Sequence, residues 1–213
     1  MIESKGIILK LVPYRDADLI ATVLTTELGK ISCLARSARK SKHRFFSGLQ
    51  VFDSGIFTFS KFKGKNLILE GLTNKTSMND IGKKPSNFLL ASLFSEIIDK
   101  IVPDEDPDYS SIVRNLNFTL GKLNKSNQGL DQLCLATWFL IKIASTCGID
   151  PGSTDRVFRK DDLEWYHQLS QNNFVTYTPI EASERGFINL ANFIQTSFET
   201  NFRILQQLPS PWK

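Results

Sequence analysis

The chain has 213 residues, of which 41% are hydrophobic and 23% charged, and this composition is typical of a globular protein of one or two domains. Its longest apolar run, residues 133–144, is broken by Thr137 and Lys142 and is too short to cross a bilayer. The first residues lack the organisation of a signal peptide. The three cysteines are widely spaced and imply no disulfide framework. The formal net charge is +4, and we expect a cytoplasmic protein.

The first third of the sequence predicts a series of short strands. The runs are rich in Val, Ile, Thr and Phe, and turn residues separate them. The predicted strands are 6–14, 19–26, 31–35, 49–62 and 67–72, the fourth being bent near Asp53. Gly29 supplies the positive φ of a tight hairpin between the second and third strands. Five strands joined by loops of uneven length predict a small barrel of the OB-fold type.

Two loops of this predicted barrel are basic. In the first, five cations fall within nine positions without an acidic residue among them: Arg36, Arg39, Lys40, Lys42 and Arg44. The next basic turn holds Lys61, Lys63 and Lys65. Taken alone, such a run is more often solvated surface than a phosphate-binding loop.

Charge is unevenly distributed along the chain. Residues 1–84 have a formal charge of +8 and residues 85–213 one of −4. This asymmetry favours a polyanionic partner for the first part. Alternatively, the opposite charges dock the two halves of the chain against each other, and both interpretations can hold at once.

Beyond residue 82 the hydrophobic period changes from two to about 3.6, which predicts helices. We therefore expect an α+β protein, with a five-stranded OB-fold nucleic-acid-binding domain over residues 1–82 and a mainly α-helical domain over residues 83–213.

Three long helices and a terminal one are expected in the second part. Ser86 is the predicted N-cap of the first, to about residue 102, and Asp106 with Pro107 begins the second. The almost wholly apolar stretch 130–147 predicts the central helix of a bundle. The remaining predictions are a short helix over 163–169, a strand over 174–177 and a last helix over 188–205.

Motifs of enzyme chemistry do not occur in the sequence. There is no P-loop, no dinucleotide-binding glycine pattern and no nucleophile elbow. The two histidines, His43 and His167, are not part of a metal-ligand spacing. An acidic group at residues 161–164 is more typical of a helix N-terminus than of a cation site. We therefore expect a binding protein and not an enzyme.

A small barrel with cationic loops is the form in which OB-folds hold single-stranded nucleic acid, because cations follow the phosphates while exposed aromatic rings stack on bases. We predict that eight residues bind nucleic acid: Arg36, Arg39, Lys40, Lys42, Arg44, Lys61, Lys63 and Lys65. Phe62 is the candidate for base stacking, and Phe46 fits better inside the barrel.

Five segments, taken in order, resemble the bacterial recombination mediator family RecO. They are Lys5-Gly6-Ile7-Ile8-Leu9, Tyr14-Arg15-Asp16-Ala17-Asp18, Leu24-Thr25-Thr26-Glu27-Leu28-Gly29-Lys30, Ala35-Arg36-Ser37-Ala38-Arg39 and Leu49-Gln50-Val51-Phe52. The likeness is specific over residues 5–72. In the helical part it rests on a long apolar helix ending at 148–151 and on a terminal amphipathic helix.

The resemblance implies an N-terminal OB-fold followed by a helical domain, and a non-enzymatic role in the response to DNA damage. It implies binding of single- and double-stranded DNA, annealing of complementary strands, and action with RecR to load RecA on DNA coated with SSB. It also implies contact with the acidic, hydrophobic C-terminal tail of SSB and a nucleoid-associated location in the cytoplasm.

Two features depart from the family pattern. Many members carry a four-cysteine zinc site, but residues 152–186 contain no cysteine, so we expect no zinc and no cofactor. The family's basic position near the middle of the long helix is replaced by neutral or apolar residues around Thr137 and Trp138. Lys142 is the nearest cation and our candidate for the SSB-tail contact, although a lysine stem at the edge of a core is the more common role.

The alternative function is a protein–protein adaptor that recognises an acidic tail and binds DNA only incidentally. Its contacts would then be Lys142, Arg159, Lys160 and Arg203.

Overall fold

The structure is a computed structural model, and it describes residues 1–41, 44–45, 48–62, 64, 66–125, 130–150, 166–167, 169–170 and 180–208. The chain forms two compact units, one of residues 1–78 with 98–117 and the other of residues 79–97 with 118–213. The predicted domain boundary at residue 82 stays a prediction. Within the described ranges, no helix combines the length and the apolar character needed to cross a membrane.

The first unit contains a closed five-stranded barrel, which confirms the predicted fold. Its strands are β1 (Ile2–Tyr14), β2 (Asp18–Thr25), β3 (Gly29–Ala35), β4 (Ser54–Phe62) and β5 (Asn66–Thr76). Their order around the barrel is β1-β2-β3-β5-β4, and β4 pairs with β1 to close it. All neighbours are antiparallel except β3 and β5, which pair in parallel at the end of β3. Closure leaves the barrel without a long exposed strand edge.

Alternation along the strands fills the barrel interior. Phe57 and Phe59, which are two residues apart in β4 and so face the same side, are fully buried, and their ring centroids lie 6.2 Å apart in a stacked arrangement. They pack in one core cluster with Ile8, Val23 and Leu69 from three other strands. The period-two pattern of the sequence is therefore the direct cause of the core.

The turn between β2 and β3 depends on Gly29, as predicted. Its φ is +68°, and a Cβ at this position would lie 2.4 Å from the backbone oxygen of Asp106. Glycine thus supplies both the left-handed conformation and the close backbone approach.

The fourth strand is shorter than predicted, because it begins at Ser54 and not at residue 49. Phe52 has a φ of +73°, which is incompatible with an extended strand. Asp53 is fully buried. Residues 49–53 therefore belong to the loop that follows β3.

Four helices have described bounds: α1 (Pro85–Ile101), α2 (Ser110–Lys125), α3 (Leu130–Thr146) and α4 (Ile180–Ser197). A 3-10 turn over Pro107–Tyr109 leads into α2, and the Asp106 carboxylate accepts a hydrogen bond from the Asp108 amide at 3.0 Å, which confirms the predicted cap. The predicted cap Ser86 is wrong. Because α1 begins at Pro85, whose missing N–H suits a first turn, Ser86 lies inside that turn.

The last helix, α4, begins and ends about eight residues earlier than predicted. Glu199, with a φ of +48°, stops it, and the Thr200 amide bonds back to the Gln195 carbonyl at 2.9 Å. Of the predicted helix over 163–169, residues 166, 167 and 169 are described and are helical. The predicted strand over 174–177 lies outside the described residues.

Candidate nucleic-acid interface

The loop that contains Arg36, Arg39, Lys40, Lys42 and Arg44, called the basic loop below, follows β3. It is held to the barrel by apolar residues within it. Ala38 and Phe45 are buried and belong to the same core cluster as the strand residues. Of the cations between them, Arg39, Lys40 and Arg44 are exposed, and Lys42 lies outside the described residues. An apolar residue at each end therefore fixes the loop while the charged side chains point outward.

One side of the basic loop is bonded to the turn between β1 and β2. The Ser37 amide donates to a carboxylate oxygen of Asp18 at 2.7 Å, and the Arg39 amide donates to the Ala17 carbonyl at 3.0 Å. The Arg39 guanidinium also donates to the Asp16 carbonyl at 3.4 Å. These bonds determine where Arg39 leaves the barrel surface.

The other side of the loop contacts the β4–β5 hairpin. The guanidinium carbon of Arg36 lies 4.5 Å from the ring centroid of Phe62, the last residue of β4. Arg44 forms an ion pair with Glu70 of β5 at 3.5 Å and donates a hydrogen bond to the Arg36 carbonyl. The basic loop thus lies between the β1–β2 turn and the β4–β5 hairpin.

Arg15, which is not among the predicted binding residues, also belongs to this surface. It occupies the β1–β2 turn with a φ of +51°, and its guanidinium carbon lies 5.1 Å from the ring centroid of Tyr14. The signal was present in the sequence, since Arg15 directly follows a predicted strand end in a loop that OB-folds use for binding. The basic cluster is defined here as Arg15, Arg36, Arg39, Lys40, Arg44 and Lys61.

Most of the basic cluster is not neutralised by ion pairs. Within the described ranges, the members that form no ion pair are Arg15, Arg36, Arg39, Lys40 and Lys61. The one paired member, Arg44, has its partner Glu70 in the barrel itself. In the described structure the Asp18 carboxylate accepts from the Ser37 amide and the Glu70 carboxylate pairs with Arg44, so positive charge remains in excess among the described residues of this surface.

Opposite charges do pair across distant parts of the sequence, but through other cations. Lys30, whose side chain is 7% exposed, lies 3.8 Å from a carboxylate oxygen of Asp99 and 3.2 Å from one of Asp104. Lys10 lies 4.0 Å from Asp99. Pairing of opposite charges within the chain therefore applies to Lys10 and Lys30, and a polyanionic partner for the basic cluster stays a prediction.

A buried ion pair anchors the returning end of the basic loop. The carboxylate of Asp53, 1% exposed, lies 2.9 Å from the ammonium of Lys75. It also accepts hydrogen bonds from the Ser77 hydroxyl at 2.7 Å and the Gln50 amide at 2.8 Å, and Lys75 donates to the Gly48 carbonyl at 2.7 Å. These bonds join residues 48–53 to β5.

Not all predicted contacts are described. Lys42, Lys63, Lys65 and Phe46 lie outside the described residues. Phe62 is 37% exposed and is covered on one side by Arg36. Its role in base stacking stays a prediction.

Lys142 belongs to the second unit and lies on α3. Its ammonium donates to the Ser170 carbonyl at 2.9 Å and lies 5.8 Å from the ring centroid of Trp138. Burial lowers the pKa of this ammonium. It lines a cavity of about 260 Å³ together with Ile141, Ser145, Ile149, Asp150, Tyr166, His167 and Ser170.

An aromatic and cationic surface adjoins Lys142. Phe118 is 44% exposed, its ring centroid lies 5.3 Å from that of Trp138, and the Lys122 ammonium lies 5.5 Å from the Phe118 ring. The indole N–H of Trp138 is buried without a hydrogen-bond acceptor in the described structure. Of the adaptor residues, Arg203 is exposed, while Arg159 and Lys160 lie outside the described ranges.

The described part of the chain places no group of three or more His, Cys, Asp or Glu side chains where they could hold a metal ion. Much of the segment 152–186 lies outside the described residues, so the expected absence of zinc stays a prediction.

Comparison with known proteins bears on this surface. The family model described as Recombination protein O N terminal matches residues 1–69, which include β1 to β4 and the whole basic cluster. Curated relatives named DNA repair protein RecO align far beyond that segment. The chain is similar to RecO proteins over most of its length. This agrees with the resemblance found in the sequence, and the relatives are named as proteins of DNA repair.

Three RecO relatives illustrate the extent of the match. That of Clostridium perfringens (strain 13 / Type A) is 27% identical over 205 residues, which cover 94% of this chain and 80% of the relative. That of Listeria monocytogenes serotype 4b (strain CLIP80459) is 28% identical over 151 residues, or 71% of this chain. That of Syntrophus aciditrophicus (strain SB) is 34% identical over 106 residues, covering 49% of this chain and 41% of the relative. The chain spans 57% of the length of the Listeria RecO that it matches.

Proposed function

We propose that this chain is a DNA-binding recombination mediator that binds single- and double-stranded DNA mainly through phosphates. The observation that carries the proposal is the basic cluster, in which five of six cations form no ion pair in the described structure. Arg15 lies in the β1–β2 turn, the arginines and Lys40 of the basic loop lie beside it, and Lys61 lies near the end of β4. Lys42, Lys63 and Lys65 add charge to the same loops in the sequence.

Strand annealing follows from this charge. Two single strands repel each other, and a cationic surface that neutralises phosphates on both lowers the repulsion. Backbone contacts carry no sequence information and leave the base edges able to pair. We therefore infer that the protein anneals complementary strands with little sequence preference.

The wider role rests on the similarity to RecO proteins. We infer that the chain acts with RecR to help load RecA on SSB-coated DNA, in the nucleoid, without an enzymatic step or a cofactor. The names of the curated relatives support a role in DNA repair.

For contact with the SSB tail we propose the surface around Lys142. Two ammonium groups, Lys122 and Lys142, lie over the rings of Phe118 and Trp138. This combination suits an acidic peptide with apolar side chains, because the ammonium groups can pair with carboxylates while the exposed Phe118 ring packs on apolar groups. The same surface is the specific observation that favours the second candidate function, an acidic-tail adaptor with incidental DNA binding.

Fluorescence anisotropy separates the two functions. The full chain is titrated with a labelled oligonucleotide and with a labelled acidic peptide containing apolar residues. We expect Arg39→Ala/Lys40→Ala to weaken oligonucleotide binding and spare the peptide, and Lys142→Ala to do the reverse.

A matched control removes two exposed cations elsewhere, Lys100→Ala/Lys125→Ala. If this control weakens oligonucleotide binding as much as the loop variant does, the basic cluster is not the binding surface. If only the peptide binds, the adaptor function replaces the mediator.

A further inference from the structure

Two arginine–aromatic pairs occur in the barrel unit. In one, Arg15 lies over the ring of Tyr14, a residue that is 38% exposed; in the other, Arg36 lies over the ring of Phe62, which is 37% exposed as a residue. Both rings end a strand, β1 in the first case and β4 in the second. The described unit therefore carries two partly exposed rings, each at the base of a loop that OB-folds use for binding.

The basic loop joins these two pairs. Its residues Ser37 and Arg39 bond to the turn that contains Arg15, and its first residue, Arg36, covers Phe62. Arg44 bonds to Arg36 and pairs with Glu70 on the other side. A DNA strand whose phosphates follow the basic loop would thus meet a flat surface of one aromatic ring and one guanidinium group on each side of the loop.

Such surfaces distinguish unpaired from paired bases. In a duplex both faces of a base are covered by its neighbours, whereas an unstacked base has a free face that can lie on an aromatic ring or on an arginine plane. The phosphate-binding cations are available to both forms. The rings therefore add affinity for the single strand alone.

We propose that the pairs Arg15–Tyr14 and Arg36–Phe62 hold unpaired bases on either side of the basic loop and make the surface selective for single-stranded DNA. The inference rests on the proposed DNA-binding function and names the form of nucleic acid that this surface prefers. Stacking uses the face of a base and leaves its Watson–Crick edge accessible to a complementary strand. Once the duplex forms, the bases leave the rings, so the annealed product is bound more weakly than the substrate.

The experiment compares three labelled ligands of equal length: a thymidine strand, an abasic strand that has the phosphates without bases, and a duplex. The full chain should bind the thymidine strand about tenfold or more tightly than the abasic strand. Tyr14→Leu/Phe62→Leu should lose that advantage, with unchanged affinity for the abasic strand and an unchanged salt dependence. Phe88→Leu, which removes an exposed ring on α1, is the matched control and should bind all three ligands as the unsubstituted chain does.

The outcomes are distinguishable. Equal affinity of the unsubstituted chain for the thymidine and abasic strands overturns the inference and leaves phosphate binding intact, and this comparison needs no variant to fold. An equal loss for all three ligands in the double leucine variant also overturns it. Failure to bind any of the three at low salt overturns the proposed function itself.

Discussion

Replacing Lys75 with Met tests the account of how the basic loop is anchored. The change removes the ammonium group that lies 2.9 Å from the Asp53 carboxylate, and it keeps a side chain of similar length. The Asp53 carboxylate, 1% exposed, then keeps its hydrogen bonds from the Ser77 hydroxyl and the Gln50 amide but loses its cation.

The two halves of the pair should differ in their effect on the free energy of unfolding. An uncompensated buried charge costs about 3–5 kcal/mol, and we expect Lys75→Met to fall in that range. Asp53→Asn should cost about 1–2 kcal/mol. In that variant the lysine side chain, 17% exposed, can reach water and still bond to the Gly48 carbonyl, and the new amide can bond to Ser77.

The decisive comparison is with the double variant Lys75→Met/Asp53→Asn. Because a neutral amide needs no cation, adding Asp53→Asn should restore part of the stability that Lys75→Met removes. Urea unfolding followed by circular dichroism gives the three free energies. If the double variant is less stable than Lys75→Met alone, the pair does not act through the buried charge and the reasoning is refuted.

Other positions give independent tests, each by unfolding of the full chain. Gly29→Ala should be strongly destabilising, because the added Cβ would lie 2.4 Å from a backbone oxygen, whereas Gly64→Ala, with a similar positive φ and nothing within 4 Å, should cost only about 1 kcal/mol; similar losses would contradict this. Phe45→Ala should lower the free energy of unfolding by about 3–5 kcal/mol, because the ring is buried in the barrel core. A loss below about 1 kcal/mol would show that this ring does not anchor the loop. Hydrogen bonds from Ser4 and Thr26 lower the pKa of Glu27, so its contribution to the free energy of unfolding is present above pH 4.5 and is lost as the pH falls through the lower folded-state pKa. Glu27→Gln should therefore flatten the acid side of the profile of stability against pH. An unchanged profile would contradict a role for these hydrogen bonds.

Local sequence signals were enough to predict the barrel and the long helices. Alternation in β4 and the left-handed Gly29 turn are properties of a few neighbouring residues, and the continuous apolar stretch that became α3 needs no knowledge of its partners. The same holds for the Asp106 cap, whose acceptor and donor are two residues apart.

Features that depend on distant residues were predicted less well. Leu49, Val51 and Phe52 look like part of a strand, but the Asp53–Lys75 pair and the positive φ of Phe52 place them in a loop. A helix end set by the left-handed conformation of Glu199 likewise has no strong signal in the sequence.

The candidate site shows the same division. Charge density identified the basic loop, because five cations within nine residues are visible in the sequence. That Arg44 pairs with Glu70, and that Arg15 shares a surface with the loop, depends on how the barrel brings its strands together.

Salt dependence of DNA binding tests the central claim most directly. If about five phosphates are engaged, the logarithm of the association constant on a single strand should fall against the logarithm of salt concentration with a slope of roughly −3 to −4. Arg39→Ala/Lys40→Ala should reduce the magnitude of that slope by about 1.4, since each phosphate contact contributes about 0.7. A slope near zero, or a slope that this variant leaves unchanged, would contradict the claim that these cations bind phosphates.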